Sequence, residues 1–430
     1  MKTNSFDQSL KAVLSQSQVI GLETVSYRQA VGRVLAEDIV ATVDDPPASK
    51  SRMDGFALRS EDTRGATRGK PVKLKFSEVV GAGHTARGRV TKGRAVRVMT
   101  GALLPSGADA VVKQEDTVTA GDLRSADGSG GKPDTTFMVR QSLAAGENVL
   151  AAGARMQKGA TLLQAGAVVG PPEVGLLAGL GRVRVAVRRQ PRVALLALGD
   201  ELVEPGLPLK PGQLYVSNLH AIEAKVARYG GRPRNLGIAG DDPDLIVRLL
   251  RPRLLAGEGG SDNPLASEVI ITLGGSHGGD YDYAHRVLEA LGARVWFQRT
   301  RLSLGGSALF ATLGGTMLFS LPGTPVASLG AFELLVRPAL WKIAGRTQLE
   351  HPMVQARLKA PVTAMEGRRN FVPAWVEFAP TDPPAVTPLR DHGGAKLPRD
   401  ATLANGMIAV PDGIQRIGAG EMVSVMCLGE

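Results

Sequence analysis

Three short segments set carboxylates beside glycine: Gly199-Asp200-Glu201-Leu202, Gly240-Asp241-Asp242-Pro243 and Gly279-Asp280-Tyr281-Asp282. Clustered carboxylate oxygens are hard donors, suited to a Mg²⁺ ion shared with substrate phosphates. A fourth segment, Leu321-Pro322-Gly323-Thr324-Pro325, has no acid but the same turn-forming character. Glycine tolerates φ > 0 and has no Cβ, so backbone in such loops can approach a ligand closely. Local roles compete for two of the acids. Asp242 before Pro243 makes a good helix N-cap and Asp200 a turn residue, which leaves the functional weight on Glu201 and Asp282.

For these segments to meet, they must lie on one edge of one sheet. The stretch 268–283, EVIITLGGSHGGDYDY, displays the required unit. Val269–Leu273 is a continuous β-branched and aliphatic run, as in a strand buried on both faces of a parallel sheet. Gly274, Gly275, Gly278 and Gly279 then break it, and Tyr283–Leu291 reads as a helix with Ala284, Val287, Leu288 and Leu291 on one face. The same alternation runs from Arg192. Strands are expected at Arg192–Leu198, 235–239, 294–299, 308–313 and 317–321. Helices are expected after Ser217-Asn218 as caps, from Asp242 through 255, and over 326–343 with an interruption at Pro338. Repeated βα units predict a mostly parallel sheet with helices on both faces, whose ligands bind beyond the carboxyl ends of the strands.

On either side the pattern differs. A helix is expected over Phe6–Gln16 with Ser5 as N-cap, a second short one over 27–35, and another over 173–180 behind Pro171 and Pro172. Between them, the stretch from 58 to about 146 is rich in glycine and valine, with strands expected at 72–76, 95–99 and Ala110–Lys113, and an exposed hairpin loop at 122–134. Beyond 345, short strands at Met353–Leu358, 372–378, 407–410 and 422–428 predict a small β-barrel.

Composition narrows the class. At 430 residues the chain should hold two to four domains. One cysteine, Cys427, excludes a disulfide framework and any cysteine-based metal cluster. No apolar run reaches membrane-spanning length and the first residues lack a signal-sequence pattern, so a cytoplasmic protein that keeps off membranes is expected. The formal charge of +10 would suit a polyanionic ligand, but the arginines are scattered and aromatics are few. A solvated basic surface fits better than a nucleic-acid groove.

Read together, MDGFA at 53–57, VMTGALLPSGADAVV at 98–112, GDELVEPG at 199–206, DDPD at 241–244, GGDYDY at 278–283 and LPGTPVAS at 321–328 resemble the molybdenum insertase family, also called molybdopterin molybdenumtransferases, which includes the gephyrin E domain. The match covers essentially the whole chain. It implies an elongated N-terminal domain from 1–45 and 146–184, an inserted β-rich domain at 46–145, a molybdopterin-binding three-layer α/β domain at 185–345, and a C-terminal β-barrel at 346–430. It also implies a homodimer whose cleft joins the α/β and C-terminal domains of one subunit to the inserted domain of the other, with other cofactor assembly proteins as partners.

The family reaction takes adenylylated molybdopterin and molybdate, inserts the metal at the dithiolene, and releases AMP with Mg²⁺ as cofactor. Carried over by motif, Asp54, Thr100, Glu201 and Asp282 are the catalytic candidates. Gly274, Gly275, Ser276, Gly279, Asp242, Arg299, Ser303, Pro322, Gly323, Thr324 and Arg368 are candidates for binding the pterin and the oxyanion. Glu201 and Asp241 are the metal candidates, and the motif leaves open which of Asp241 and Asp242 is functional.

Departures from the family pattern fall in its functional motifs. His277 stands where the glycine loop usually has serine. Family lysines in the next loop become Arg299, Ser303 and Gly306, and a guanidinium does not replace a lysine point charge in a tight pocket. A usual acidic pair is Ala154-Arg155, an aspartate ahead of Ser217 is Val216, and an asparagine in the proline-glycine loop is Thr324. Arg368-Arg369 retains the basic turn of the C-terminal domain. Two readings follow: an insertase with altered cation placement, or a weakened paralogue that carries molybdopterin or finished cofactor.

Overall fold

The structure is a computed structural model and describes residues 2–119, 135–255, 263–275, 283–378, 383–389 and 403–429. They form two compact units. One comprises residues 38–164 with 176–182, and the other residues 1–37, 165–175 and 183–430.

The smaller unit is built on a six-stranded sheet in the order Ala110–Lys113, Gly55–Leu58, Arg94–Val98, Val72–Val80, Thr136–Val139, Thr117–Thr119. The strand expected to end at 76 runs on to Val80. Its core gathers Phe56, Phe76 and Phe137, with the Phe56 and Phe137 rings stacked at 4.1 Å. Gly55 opens a strand whose neighbour Val112 leaves no room for a side chain, since a Cβ there would lie 1.9 Å from its carbonyl oxygen. Segment 122–134 lies outside the described residues.

The larger unit holds the α/β sheet, in the order Arg232–Ala239, Arg192–Leu198, Val269–Leu273, Thr316–Leu321, Leu309–Leu313, Arg294–Phe297. The first four strands are mutually parallel, and the last two add antiparallel to the edge. Alternation along Arg192–Leu198 explains the layering. Val193, Leu195 and Ala197 pack with Leu219, Ile222 and Val226 of the helix Ser217–Arg228. Ala194, Leu196 and Leu198 pack on the other face with Ile246 and Leu250 of Pro243–Leu250 and Val287, Leu288 and Leu291 of Tyr283–Leu291. With both faces covered, the central strands read as unbroken apolar runs.

Several element boundaries move for identifiable reasons. The helix Phe6–Gln16 forms as expected, with a complete capping box between Ser5 and Gln8. The segment 27–35 makes only a 3₁₀ turn, Tyr27–Ala30, because Gly32 adopts φ +75° and Val34 and Leu35 go into bridges with Val168 and Val187. The helix after Asp242 stops at Leu250, since Pro252 cannot continue its hydrogen bonding, and a 3₁₀ turn follows. The strand expected to reach 299 ends at Phe297. Pro338 does not break its helix. A π-helical segment, Phe332–Val336, absorbs the missing donor between Pro325–Ala331 and Arg337–Ile343.

The C-terminal strands close into a barrel: Met353–Leu358, Ala385–Pro388, Asn370–Glu377, Gly406–Val410, Met422–Cys427. Ala385–Pro388 carried no clear alternation in the sequence and takes its place through pairing with Asn370–Glu377.

Candidate functional site

Four consecutive parallel strands deliver the expected loops to one edge of the sheet. Ala239 leads into Asp241, Leu198 into Gly199-Asp200-Glu201, Leu273 into Gly274-Gly275, and Leu321 into Pro322-Gly323-Thr324. The chain order reverses between Arg192–Leu198 and Val269–Leu273, which neighbour each other although Arg232–Ala239 lies between them in sequence. Such a switch point opens a crevice for ligands.

The crevice floor is glycine by necessity. Gly274 has φ +102°, and a Cβ on it would lie 2.5 Å from the Leu198 carbonyl oxygen. Its N–H donates to Leu321 O at 3.0 Å, while Gly275 O accepts from Ala284 N at 3.2 Å and so ties the loop to the next helix. On the far side, Asn218 Nδ2 donates to Gly323 O at 2.9 Å, although the two residues are 105 apart in sequence. Asn218 was expected as a helix cap. The N-cap is Val216, without a side-chain cap bond, and buried Asn218 instead holds the proline-glycine loop. Nothing local in the sequence points to that role. Exposed Thr324 stands at the N-cap of Pro325–Ala331 without capping it.

Three carboxylates crowd the end of the first two strands. Asp200 Oδ1 accepts from Asp241 N at 3.2 Å, and the Asp241 carboxyl is pushed above its ordinary value by burial, then by Asp200 and Glu201. Asp242 Oδ1 is spent on the helix, accepting from Asp244 N and Leu245 N at 2.9 and 3.3 Å. Among the described residues, no three His, Cys, Asp or Glu side chains are set to hold a metal by themselves. A cation at this edge would therefore take its remaining oxygens from a substrate or from water.

The barrel supplies a basic turn. Arg369 N donates to Arg301 O at 2.8 Å and Ser303 N to Arg369 O at 3.0 Å, which zips the turn onto the loop at 301–303. Ser303 is buried, and its hydroxyl lies 3.1 Å from Phe371 N and 3.3 Å from Phe371 O. It therefore joins sheet loop to barrel. Gly306 has room for no side chain, since a Cβ would sit 2.7 Å from Leu302 O, and the Arg368 guanidinium comes within 3.7 Å of that point. Exposed Arg368, with Arg301 and Arg369, lines a cleft of about 280 Å³. Arg369 is also paired with Asp412 at 3.3 Å. Arg299 is exposed, on a two-residue strand paired with Thr3-Asn4.

In the smaller unit, Thr100 donates both its N–H and its hydroxyl to Asp54 Oδ1, each at 2.7 Å. Ser276, His277, Gly279, Asp280 and Asp282 lie outside the described residues.

Comparison with known proteins matches each stretch of the chain to a family. Residues 4–181 fit the MoeA N-terminal region (domain I and II), residues 194–342 the probable molybdopterin binding domain, and residues 355–428 the MoeA C-terminal region (domain IV). The molybdopterin molybdenumtransferase of Staphylococcus epidermidis is 30% identical over 422 residues, 98% of this chain and 95% of that one. That of Staphylococcus aureus strain COL is 30% identical over 97% of this chain and 94% of its own. A crystal structure of a molybdopterin biosynthesis MoeA protein from Pyrococcus horikoshii superposes over the full length of both chains with a TM-score of 0.83 at 29% identity. Fold and site define a multidomain α/β protein with a ligand crevice at a strand-order switch and a β-barrel at its side. The chain belongs to the molybdopterin molybdenumtransferase family, transferases of molybdenum cofactor biosynthesis.

Proposed function

We propose that this chain inserts molybdenum from molybdate into adenylylated molybdopterin and releases AMP. The observation that carries this reading is the arrival of four consecutive parallel strands at one edge with Asp241, Asp200-Glu201, Gly274-Gly275 and Gly323-Thr324. Two anionic reactants must be held together, which calls for close backbone approach on one side and cations on the other. Gly274, Gly275, Pro322, Gly323 and Thr324 form the backbone wall toward the pterin, and Ser276 and Gly279 of the same glycine-rich segment are further candidates for binding it. Arg368 and Arg301 supply positive charge toward molybdate or phosphate, with Arg299 as a further source. Ser303 aligns the basic turn through its bonds to Phe371.

The crowded acids fit a divalent cation, since Asp200 and Glu201 each set negative charge beside the Asp241 carboxyl. Glu201 and Asp241 would hold Mg²⁺, and Asp242 is left to its helix. Bound there, Mg²⁺ would neutralise phosphate charge as the pyrophosphate link opens. Asp54, kept ionised by Thr100, and Asp282 complete the acidic set. The reading includes a cytoplasmic homodimer, with Asp54 and Thr100 entering each cleft from the other copy, and the four-domain division at 45, 145, 184 and 345.

Incubation with adenylylated molybdopterin, molybdate and Mg²⁺ should release AMP, and omission of molybdate should suppress it. Pterin binding with no AMP release at saturating molybdate would overturn the proposal in favour of a carrier. The near full-length relatives are named as transferases, which favours the enzyme.

A further inference from the structure

The turn that brings Arg368 to its cleft is short and bent at glycine: Met365-Glu366-Gly367-Arg368-Arg369, with Gly367 at φ +69°. Backbone groups in such a turn have no strand ladder to satisfy them and need other partners. Asn370, the first residue of the strand Asn370–Glu377, supplies them. Its side chain is buried, with the residue 3% exposed. Oδ1 accepts from Met365 N at 2.9 Å, and Nδ2 donates to Met365 O at 2.8 Å and to Arg368 O at 2.7 Å.

One acceptor and two donors in this arrangement are what a side-chain amide offers. A carboxylate at 370 would keep the bond from Met365 N but has no donor for the two carbonyl oxygens, and an alanine would leave all three backbone groups without this partner. Asn370 thus ties the start of the turn, at Met365, to the peptide unit that leaves Arg368. The next residue is fixed from the sheet side. Arg369 N donates to Arg301 O at 2.8 Å, Ser303 N donates to Arg369 O at 3.0 Å, and the Arg369 guanidinium pairs with Asp412. With Arg369 so engaged, Arg368 is the guanidinium of this turn that has no ion pair among the described residues. A long exposed side chain keeps its own rotamer freedom, so its aim depends on a backbone that does not also move.

We infer that Asn370 is a positioning residue for the oxyanion reactant, acting through Arg368 and not by contact: its amide holds the turn in the shape from which Arg368 reaches molybdate. The inference rests on the reading of Arg368 as a cation for molybdate.

Molybdate binding to the full chain, measured by calorimetry apart from turnover, tests it. Asn370→Ala should weaken the affinity by about tenfold. Asn370→Asp, which keeps the size and the acceptor but loses the donors, should do the same and carries the test if the alanine variant does not fold. Arg368→Gln should weaken binding at least as much. Asn370→Ala added to Arg368→Gln should change it by less than about twofold further, because the two residues act as one unit. In AMP release, the Asn370 variants should raise the molybdate concentration giving half-maximal rate and leave that for the pterin substrate within about twofold, a split that general loosening of the barrel would not produce. Unchanged molybdate affinity in the Asn370 variants, full multiplication of the two losses in the double variant, or no molybdate binding by the parent chain would each overturn the inference. AMP release by the parent chain reports separately on the insertase reading. Its absence, with molybdate binding present and weakened by Asn370→Ala, would overturn that reading and leave this one standing.

Discussion

Thr100 presents two donors, backbone N–H and side-chain hydroxyl, to a single carboxylate oxygen of Asp54, both at 2.7 Å and across 46 residues of sequence. The backbone bond, then the hydroxyl bond, hold the Asp54 carboxyl below its ordinary value against the small opposing effect of burial. Asp54 is therefore held as an anion at neutral pH, with one carboxylate oxygen oriented by both bonds.

Thr100→Val should remove one of the two bonds and leave the other. The Asp54 pKa, read by carboxyl NMR, should rise toward its ordinary value, and AMP release should fall by roughly tenfold or more, as expected when one charge-assisted bond worth about 1.5–3 kcal/mol is lost. The sign of the pH effect follows from a folded value that is depressed. The contribution of Asp54 is present above its unfolded pKa and is lost as pH falls through the folded one. An unmoved Asp54 pKa in the variant would remove the basis for this role.

The acids at the sheet edge separate by function. Asp241→Asn and Glu201→Gln should each reduce AMP release by about a hundredfold, on the order of the 2.7–4 kcal/mol lost with one electrostatic partner in an active site. They should also raise the Mg²⁺ concentration needed. Asp242→Ala should cost about 1 kcal/mol of stability through its lost cap, visible in urea melts, with AMP release kept within about twofold. The reverse pattern would transfer the metal role to Asp242.

Gly274→Ala tests the crevice floor. Its φ of +102° and a Cβ 2.5 Å from Leu198 O allow no side chain without movement of the central strand end. Stability should fall by at least about 1–2 kcal/mol from the backbone conformation alone, and pterin affinity should fall with it. A variant that melts and binds like the parent would show that the loop tolerates a side chain.

The ion cluster around Glu333 should be costly to break. Burial pushes this carboxyl upward, but the His351 bond and Lys225 overcome it and hold it at about 2. Its stabilising effect is thus full above the ordinary carboxylate range and falls away progressively as pH drops from there through about 2. Glu333→Gln leaves Arg337 and Lys225 without their counter-ion and should cost about 3–5 kcal/mol, measured by denaturant unfolding at neutral pH. A cost below 1 kcal/mol would mean that the cations reach water more readily than their burial implies.

Local sequence by itself determined the elements and the order of the chemistry. The apolar run Val269–Leu273 and the periodic Tyr283–Leu291 appear in the structure with those bounds, because period and burial are written into neighbouring residues. The barrel was legible for the same reason, apart from Ala385–Pro388, whose only support is its partner strand. Tertiary structure decided whatever depends on residues far apart. Asn218 is set against Gly323, Ser303 against Phe371, and one carboxylate, Glu333, against both Lys225 and His351. Each of these pairs brings together polar groups from separate elements. Their bonds exist only once the chain's apolar faces have packed, and no local periodicity announces them.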